Sequence, residues 1–194
     1  MASKPESGLL ATIQGTTDWG VLLLLRVVVG LPLLFFGVMH LVSPNVLRGI
    51  LEAAGMPLLY LHDVLVPLVE ILAGVLLLVG FLTRLGAVLA FGVLVPAIVV
   101  TLQVADGSAG SALPSLALPV TAAVASFLLA LLGGGPGSID ERMYYRRVFA
   151  RESSQTTAGP RAFVPWSASD AVAVVLGLLI LAVLMYFIWG RQMR

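Results

Sequence analysis

Five apolar runs constrain this chain more than any other feature of its sequence. They cover residues 21–42, 64–82, 85–104, 113–132 and 171–189. Each run is close to the roughly 20 residues that an α-helix needs to cross about 30 Å of hydrocarbon. Because lipid offers no water to unpaired backbone groups, only helices and closed barrels span it, and continuous apolar runs exclude the barrel. The sequence therefore predicts an all-α integral membrane protein.

The composition supports a membrane protein and excludes several kinds of active site. Hydrophobic residues make up 59% of the chain and charged residues 11%, whereas soluble domains carry about 25% charged residues. The chain has no cysteine, which excludes thiolate catalysis and Cys-ligated zinc or iron–sulfur clusters within it. A net charge of +1 without a basic domain gives no support for a nucleic-acid partner.

The runs divide the chain into segments. We expect residues 1–20 to be a polar cytoplasmic segment, residues 21–132 a four-helix transmembrane unit, and residues 133–170 a Gly-rich and basic cytoplasmic loop. Residues 171–189 then form a fifth, peripheral transmembrane helix, and residues 190–194 an outer tail.

Proline distinguishes the first four runs from the fifth. Pro32, Pro67, Pro96 and Pro119 lie inside the first four runs, and the fifth has none. Proline in a helix frees a carbonyl and bends the axis, which membrane helices tolerate when neighbours satisfy the freed group. We therefore expect a kinked four-helix bundle with the fifth helix added beside it.

The basic residues predict the orientation in a cell inner (plasma) membrane. With five spans, seven basic residues fall on the N-terminal side and three on the other: Lys4, Arg84, Arg142, Arg146, Arg147, Arg151 and Arg161 against Arg48, Arg191 and Arg194. By the positive-inside rule, the N-terminus is cytoplasmic and the C-terminus is outside.

The two connections that flank the second run have their own signals. In residues 44–54, Leu47, Ile50, Leu51 and Ala54 recur at helical spacing, after Ser43 as a cap. This pattern predicts an amphipathic helix on the outer surface. The second and third runs follow each other so closely that a tight turn is expected near residues 83–86, since one continuous helix would be twice the bilayer thickness.

Polar residues on the first run share one helix face. Arg26, Gly30, Leu33, Gly37 and His40 are spaced by 4, 3, 4 and 3 residues, which places them on a single stripe. A charged residue at the bilayer centre costs roughly 2.5 to 3.5 kcal/mol on insertion scales. We therefore expect this stripe to face the bundle interior.

Glu70 is the one charged residue of the second run, and it lies on one stripe with Asp63 and Gly74. At 1.5 Å per residue, Arg26 and Glu70 lie roughly 12 Å apart along the membrane normal, and His40 and Glu70 roughly 9 Å apart. Side chains bridge several ångströms, so both pairings stay open.

Four side chains are candidates for binding a ligand or a proton: Arg26, His40, Glu70 and Gln103. Gln103, near the outer end of the third run, and Thr121, in the fourth, complete a polar pocket that opens outward and includes His40, Asp63 and Glu70. In the structural alternative, Arg26 reaches the cytoplasmic headgroups or pairs with Asp140, and Glu70 only fixes helix packing. No catalytic residue is assigned, and no metal site is expected, because the nearby histidines and carboxylates lack helical ligand spacing.

Several segments in order resemble the DoxX family of small membrane proteins. They are residues 25–30 (Leu-Arg-Val-Val-Val-Gly), 35–41 (Phe-Phe-Gly-Val-Met-His-Leu), 55–57 (Gly-Met-Pro), 69–84 around Glu70, and the Gly-rich 133–140 with its Ser-x-Asp ending. The resemblance covers about residues 20–141. It implies a four-span bundle in which Arg26 and Glu70 are the family's arginine and glutamate positions, and Asp140 is the aspartate of its cytoplasmic Ser-x-Asp motif. The family often has Lys where this chain has His40, and the fifth helix is outside its usual unit.

The family is named for a subunit associated with thiosulfate:quinone oxidoreductase. The resemblance therefore implies a membrane subunit of a redox or quinone-linked complex, with a quinone as cofactor and a membrane or peripheral redox protein as partner. Two alternatives stay open: a small-molecule or proton carrier that uses the Glu70 pocket, and a structural or assembly subunit.

Overall fold

The computed structural model describes residues 19–55, 59–104, 109–135 and 137–143, together with five positions between 171 and 179. These residues form five helices of at least 10 residues: α1 (Trp19–Val42), α2 (Pro44–Ala53), α3 (Leu59–Val79), α4 (Thr83–Val104) and α5 (Ala109–Leu132). No strand occurs in this described part of the chain. The predicted all-α fold is confirmed.

Four of these helices are long and apolar enough to cross a membrane: residues 20–42 of α1, all of α3 and α4, and residues 114–132 of α5. Their outward sides carry exposed large apolar side chains, such as Leu24 and Phe35. A surface this apolar is stable in contact with lipid rather than water. The chain is therefore a multi-pass membrane protein.

The fifth predicted span is covered only in part. The five described positions between residues 171 and 179 are helical. The remainder of residues 171–189 lies outside the described residues, as do residues 1–18, most of the loop 133–170 and the tail 190–194.

The turn between α3 and α4 comes earlier than the expected residues 83–86. α3 ends in a Schellman motif, in which Phe81 N donates to Leu76 O (3.1 Å) and Gly80 N donates to Leu77 O (3.2 Å). Gly80 has φ +70°, a conformation that glycine adopts without a steric penalty. Hydropathy missed this end because Phe81 and Leu82 continue the apolar run past the glycine.

The helices pack as a four-helix bundle with α1 against α3 and α4 against α5, closed by contacts of α3 with α4 and of α1 with α5. The core between them consists of small and medium apolar side chains: Leu22, Val29, Leu33, Ala73, Leu77, Ala87, Ala90, Leu94, Ala122, Ala123, Ala125 and Leu129. Many of these are alanines, which let helices approach closely in a membrane, where packing rather than water drives association.

Prolines occur inside all four spanning helices, and each helix continues through them. They are Pro32 in α1, Pro67 in α3, Pro96 in α4, and both Pro114 and Pro119 in α5. Each proline removes one backbone donor from its helix.

α2 covers the end of the bundle opposite the α3–α4 turn. Its inner residues Leu47 and Leu51 pack with Val100 of α4 and with Leu59 and Val66 of α3. Pro44 occupies its first turn, although Ser43 makes no side-chain capping hydrogen bond. The two ends of the bundle are called the α2 end and the turn end below.

Candidate functional site

α1 and α3 touch at glycines that fix how the two helices line up. A Cβ on Gly74 would lie 2.8 Å from the carbonyl oxygen of Gly30 and 2.8 Å from the nitrogen of Leu34. A Cβ on Gly37 would lie 2.9 Å from Glu70 Cβ. The atoms that a Cβ on Gly74 would meet belong to the backbone of α1 and cannot move aside. Only a glycine at position 74 therefore allows α1 and α3 to approach this closely. The contact brings Glu70 directly against α1.

His40 and Glu70 meet across this interface, with His40 Nδ1 2.9 Å from Glu70 Oε2. Depth along the membrane alone did not predict the contact. The Cα–Cβ bonds of a helix tilt toward its N-terminus, and α1 and α3 run in opposite directions. His40 therefore leans toward the middle of the bundle and Glu70 toward the α2 end, so the two side chains converge.

The His40–Glu70 pair is mostly enclosed but accessible at one edge. The side chain of His40 is 18% exposed and that of Glu70 9%. The Phe36 ring stacks on the His40 ring, with centroids 6.2 Å apart and an interplanar angle of 30°. One imidazole nitrogen faces the carboxylate, which leaves Nε2 as the polar atom that can serve a ligand.

Arg26 lies far from this pair, at the turn end, and is only 2% exposed. A Cβ on Gly80 would collide with Arg26 Nη1. Its Nε has no hydrogen-bond partner among the described residues, while Asp140 and Glu141 lie close enough for their charges to act on it. The burial of Arg26 argues against a side chain that reaches the headgroups and favours its association with Asp140.

Asp140 joins the segment after α5 to the start of α4. Its Oδ1 accepts from Leu82 N (2.7 Å) and its Oδ2 accepts from Thr83 N (2.8 Å). In addition, Asp140 N donates to Gly80 O (3.2 Å). The carboxylate therefore caps α4 from a distant part of the chain, in the place that a local Ser or Asp usually takes.

The hydrogen-bonding roles of Ser138 and Glu141, which lie beside Asp140, were not predicted from the sequence. Ser138 Oγ accepts from Glu141 N (3.1 Å) and donates to Gly135 O (2.7 Å). The Glu141 carboxylate accepts from Gly137 N (2.5 Å). Ser-x-x-Glu is the spacing of a capping box, so this signal was present at the start of the helical segment 139–143.

Gln103 does not join the His40–Glu70 pair. Its Oε1 is buried without a hydrogen-bond partner among the described residues, as is Asp63 Oδ1. The other oxygen of Asp63 lies 3.9 Å from Arg48 Nη1, and Arg48 Nε contacts Glu52 at 3.1 Å. Of the four candidates within the runs, the structure thus brings together His40 and Glu70.

Comparison with known proteins gives one family. Residues 21–103 match the family model described as DoxX. This range contains α2, α3 and nearly all of α1 and α4, and it ends before α5 and the Gly-rich segment. No curated protein and no solved structure matches the chain.

Proposed function

We propose that this chain, whose residues 21–103 match the DoxX family model, is the integral membrane subunit of a redox or quinone-linked complex. The quinone headgroup binds at the His40–Glu70 pair. The observation that carries this proposal is the 2.9 Å contact between an imidazole and a carboxylate inside the apolar part of the bundle. Reduction of a quinone takes up protons as well as electrons. An imidazole beside a carboxylate is suited to donating and accepting those protons.

The donor set fits a quinone in both of its stable forms. A protonated His40 has a donor at Nε2 for a quinone carbonyl, and a neutral His40 has an acceptor there for a quinol hydroxyl. Glu70 at Nδ1 orients the ring and stabilises its positive charge while His40 holds a proton. The bound quinone supplies the two-electron chemistry, with the electrons exchanged with a redox partner protein.

The apolar surroundings favour a ligand that arrives through the bilayer. Phe36 covers one face of His40, and both Phe36 and Met39 are exposed on the outer surface of α1. A hydrophobic ring with polar atoms at its edge matches such a site better than a hydrophilic substrate does.

The close contact between α1 and α3 weighs against the carrier alternative. Between the His40–Glu70 pair and Arg26, the backbones of Gly30 and Gly74 leave no room for one Cβ. A carrier needs a path for its substrate through the bundle, and no such path runs along this interface. A purely structural role stays as the alternative that the experiment below tests.

The proposed location is a plasma membrane with the turn end in the cytoplasm and the α2 end outside. Arg84 and Arg142 mark the turn end and Arg48 the α2 end, in the direction of the positive-inside rule. The His40–Glu70 pair would then exchange protons from the outer side.

The test is titration of the purified chain in mild detergent with a short-chain quinone. Replacing Glu70 by Gln removes the charge that supports His40, so Glu70→Gln should weaken binding about ten- to a hundredfold, as loss of a charged hydrogen bond does. Glu52→Gln is the matched control, since Glu52 is an exposed carboxylate that pairs with Arg48 on the surface of α2. Equal affinity in Glu70→Gln and the control, or no quinone binding at all, would favour the structural role.

A further inference from the structure

The start of α4 has the geometry of an oxyanion site, and Asp140 occupies it. Two successive amides, Leu82 N and Thr83 N, donate to the two oxygens of one carboxylate at 2.7 and 2.8 Å. Leu82 has φ +47°, and this left-handed conformation turns its amide and the next one toward the same point. Successive amides in such a turn, at the positive end of a helix dipole, bind anions.

Two buried donors beside this carboxylate have no acceptor among the described residues. They are Arg26 Nε and Thr83 Oγ1, on side chains that are 2% and 0% exposed. The hydroxyl of Thr83 points at Gly134, where a Cβ would lie 2.5 Å from Oγ1, and the guanidinium of Arg26 occupies the space over Gly80. Buried donors are rarely left without a partner. Arg26 Nε and Thr83 Oγ1 are therefore donors that the Asp140 carboxylate does not satisfy.

The local charges also favour an anion. Arg26 and Arg84 are both buried here, with Arg84 against Gly133. Asp140 and Glu141 are the carboxylates whose charges act on Arg26, and Glu141 also accepts from Gly137 N. When Asp140 leaves, Arg26 loses one of the two negative charges that act on it, which favours a replacement anion.

We propose that Leu82 N, Thr83 and Arg26 form an oxyanion-binding site that Asp140 fills from within the chain. A carboxylate or phosphate from outside takes the same place when Asp140 is withdrawn. The Asp140–Leu82 hydrogen bond is solvent-exposed, so Asp140 can leave and another anion can enter. Residues 137–143, which carry Asp140, then form a segment that can detach from the turn end of the bundle.

The test removes the Asp140 carboxylate by substitution and then supplies a carboxylate from solution as acetate. In Asp140→Ala, the thermal unfolding midpoint should fall, and sodium acetate should raise it again by about 2 to 4 °C in a saturable way, relative to sodium chloride at equal ionic strength. Wild type should show no such difference between the two salts. Asp140→Ser, which also leaves room for a small anion, should behave in the same way and serves if Asp140→Ala is not recovered folded.

A matched double variant identifies the donors. Asp140→Ala combined with Thr83→Val keeps the space but removes one donor, so it should recover less than half as much with acetate. Two probes distinguish a free phosphate from a lipid headgroup. One is inorganic phosphate added to the chain in detergent, and the other is phosphatidylglycerol added to mixed micelles of detergent and phosphatidylcholine. Recovery with either one supports the site and names its source. An Asp140 variant that responds to acetate, phosphate and anionic lipid no more than to chloride would overturn the proposal.

Discussion

His40 and Glu70 act as one unit because each satisfies the other inside an apolar bundle. A lone carboxylate in this position would need protonation or a water, since a buried charge without a partner is costly. The His40 imidazole is a partner for the carboxylate through Nδ1 at 2.9 Å, and Nε2 stays available for the proposed ligand. A substitution of either residue should therefore affect helix packing as well as the proposed quinone binding.

The side chain of Ser138 allows a prediction about the stability of the bundle. Ser138→Ala removes the side-chain acceptor for Glu141 N and the donor to Gly135 O. Loss of an N-cap costs about 1 kcal/mol, so the unfolding midpoint should fall by about 2 to 4 °C. Ser115→Ala, an exposed serine of α5, is the control. Equal midpoints for the two variants would show that the cap contributes nothing to the folded bundle.

The residues of this pair illustrate what a single sequence predicts. Helix period and hydropathy placed His40 and Glu70 on inward stripes, because each stripe is a local property of one helix. Their contact depends on how α1 lines up with α3, which the glycines Gly30 and Gly74 set across the interface. The partner of Asp140 is a pair of backbone amides more than 50 residues away, and no side-chain pattern encodes such a partner.

At the scale of helices, glycine has opposite roles at two positions. A Cβ on Gly74 meets backbone atoms at 2.8 Å, whereas a Cβ on Gly92, in the interior of α4, meets nothing within 4 Å. Gly74 therefore sets the separation of α1 and α3. Gly92 only gives α4 extra freedom when it unfolds.

We predict opposite shifts for Gly74→Ala and Gly92→Ala. Gly74→Ala forces α1 and α3 apart and should destabilise the bundle by about 1 to 3 kcal/mol, the usual cost of overpacking. Gly92→Ala should stabilise it by about 0.5 to 1 kcal/mol through helix propensity. Thermal unfolding of both variants in one detergent measures the difference, and shifts of the same sign would contradict this account of the interface.

Helix ends were the least predictable elements. α3 ends at Val79 and α4 begins at Thr83, although the apolar runs continue through Phe81 and Leu82. The glycine conformation at Gly80 and the remote cap from Asp140 decide this boundary. By contrast, α2 follows much of its predicted amphipathic pattern, because its start at Pro44 and its inner residues Leu47 and Leu51 are local signals. Ile50, predicted on the same face, is exposed.

At the scale of the whole molecule, the even number of described spans places Arg26, the α3–α4 turn and the segment 133–143 at one end. The contacts of Gly80 with Arg26 and Ser138 agree with this arrangement. The two polar centres therefore lie at opposite ends of one bundle. The proposed proton exchange at one end and the anion site at the other would face different compartments.

Single cysteines can test the orientation without background, because the chain has none of its own. Asn45→Cys lies at the α2 end and Arg142→Cys at the turn end, and both positions are exposed. In intact cells, a membrane-impermeant thiol reagent should label Asn45→Cys and should reach Arg142→Cys only after lysis. The reverse pattern would invert the proposed topology while leaving the fold unchanged.

A double-mutant cycle on quinone affinity tests most directly whether His40 and Glu70 form one binding unit. The chain is titrated with a short-chain quinone as wild type, His40→Asn, Glu70→Gln and the double variant. If the pair acts as a unit, the double variant should bind within about twofold of the weaker single variant, because the second substitution removes nothing further. Losses that multiply would contradict a single binding unit, and affinity that is the same in all four proteins would contradict a quinone site at this pair.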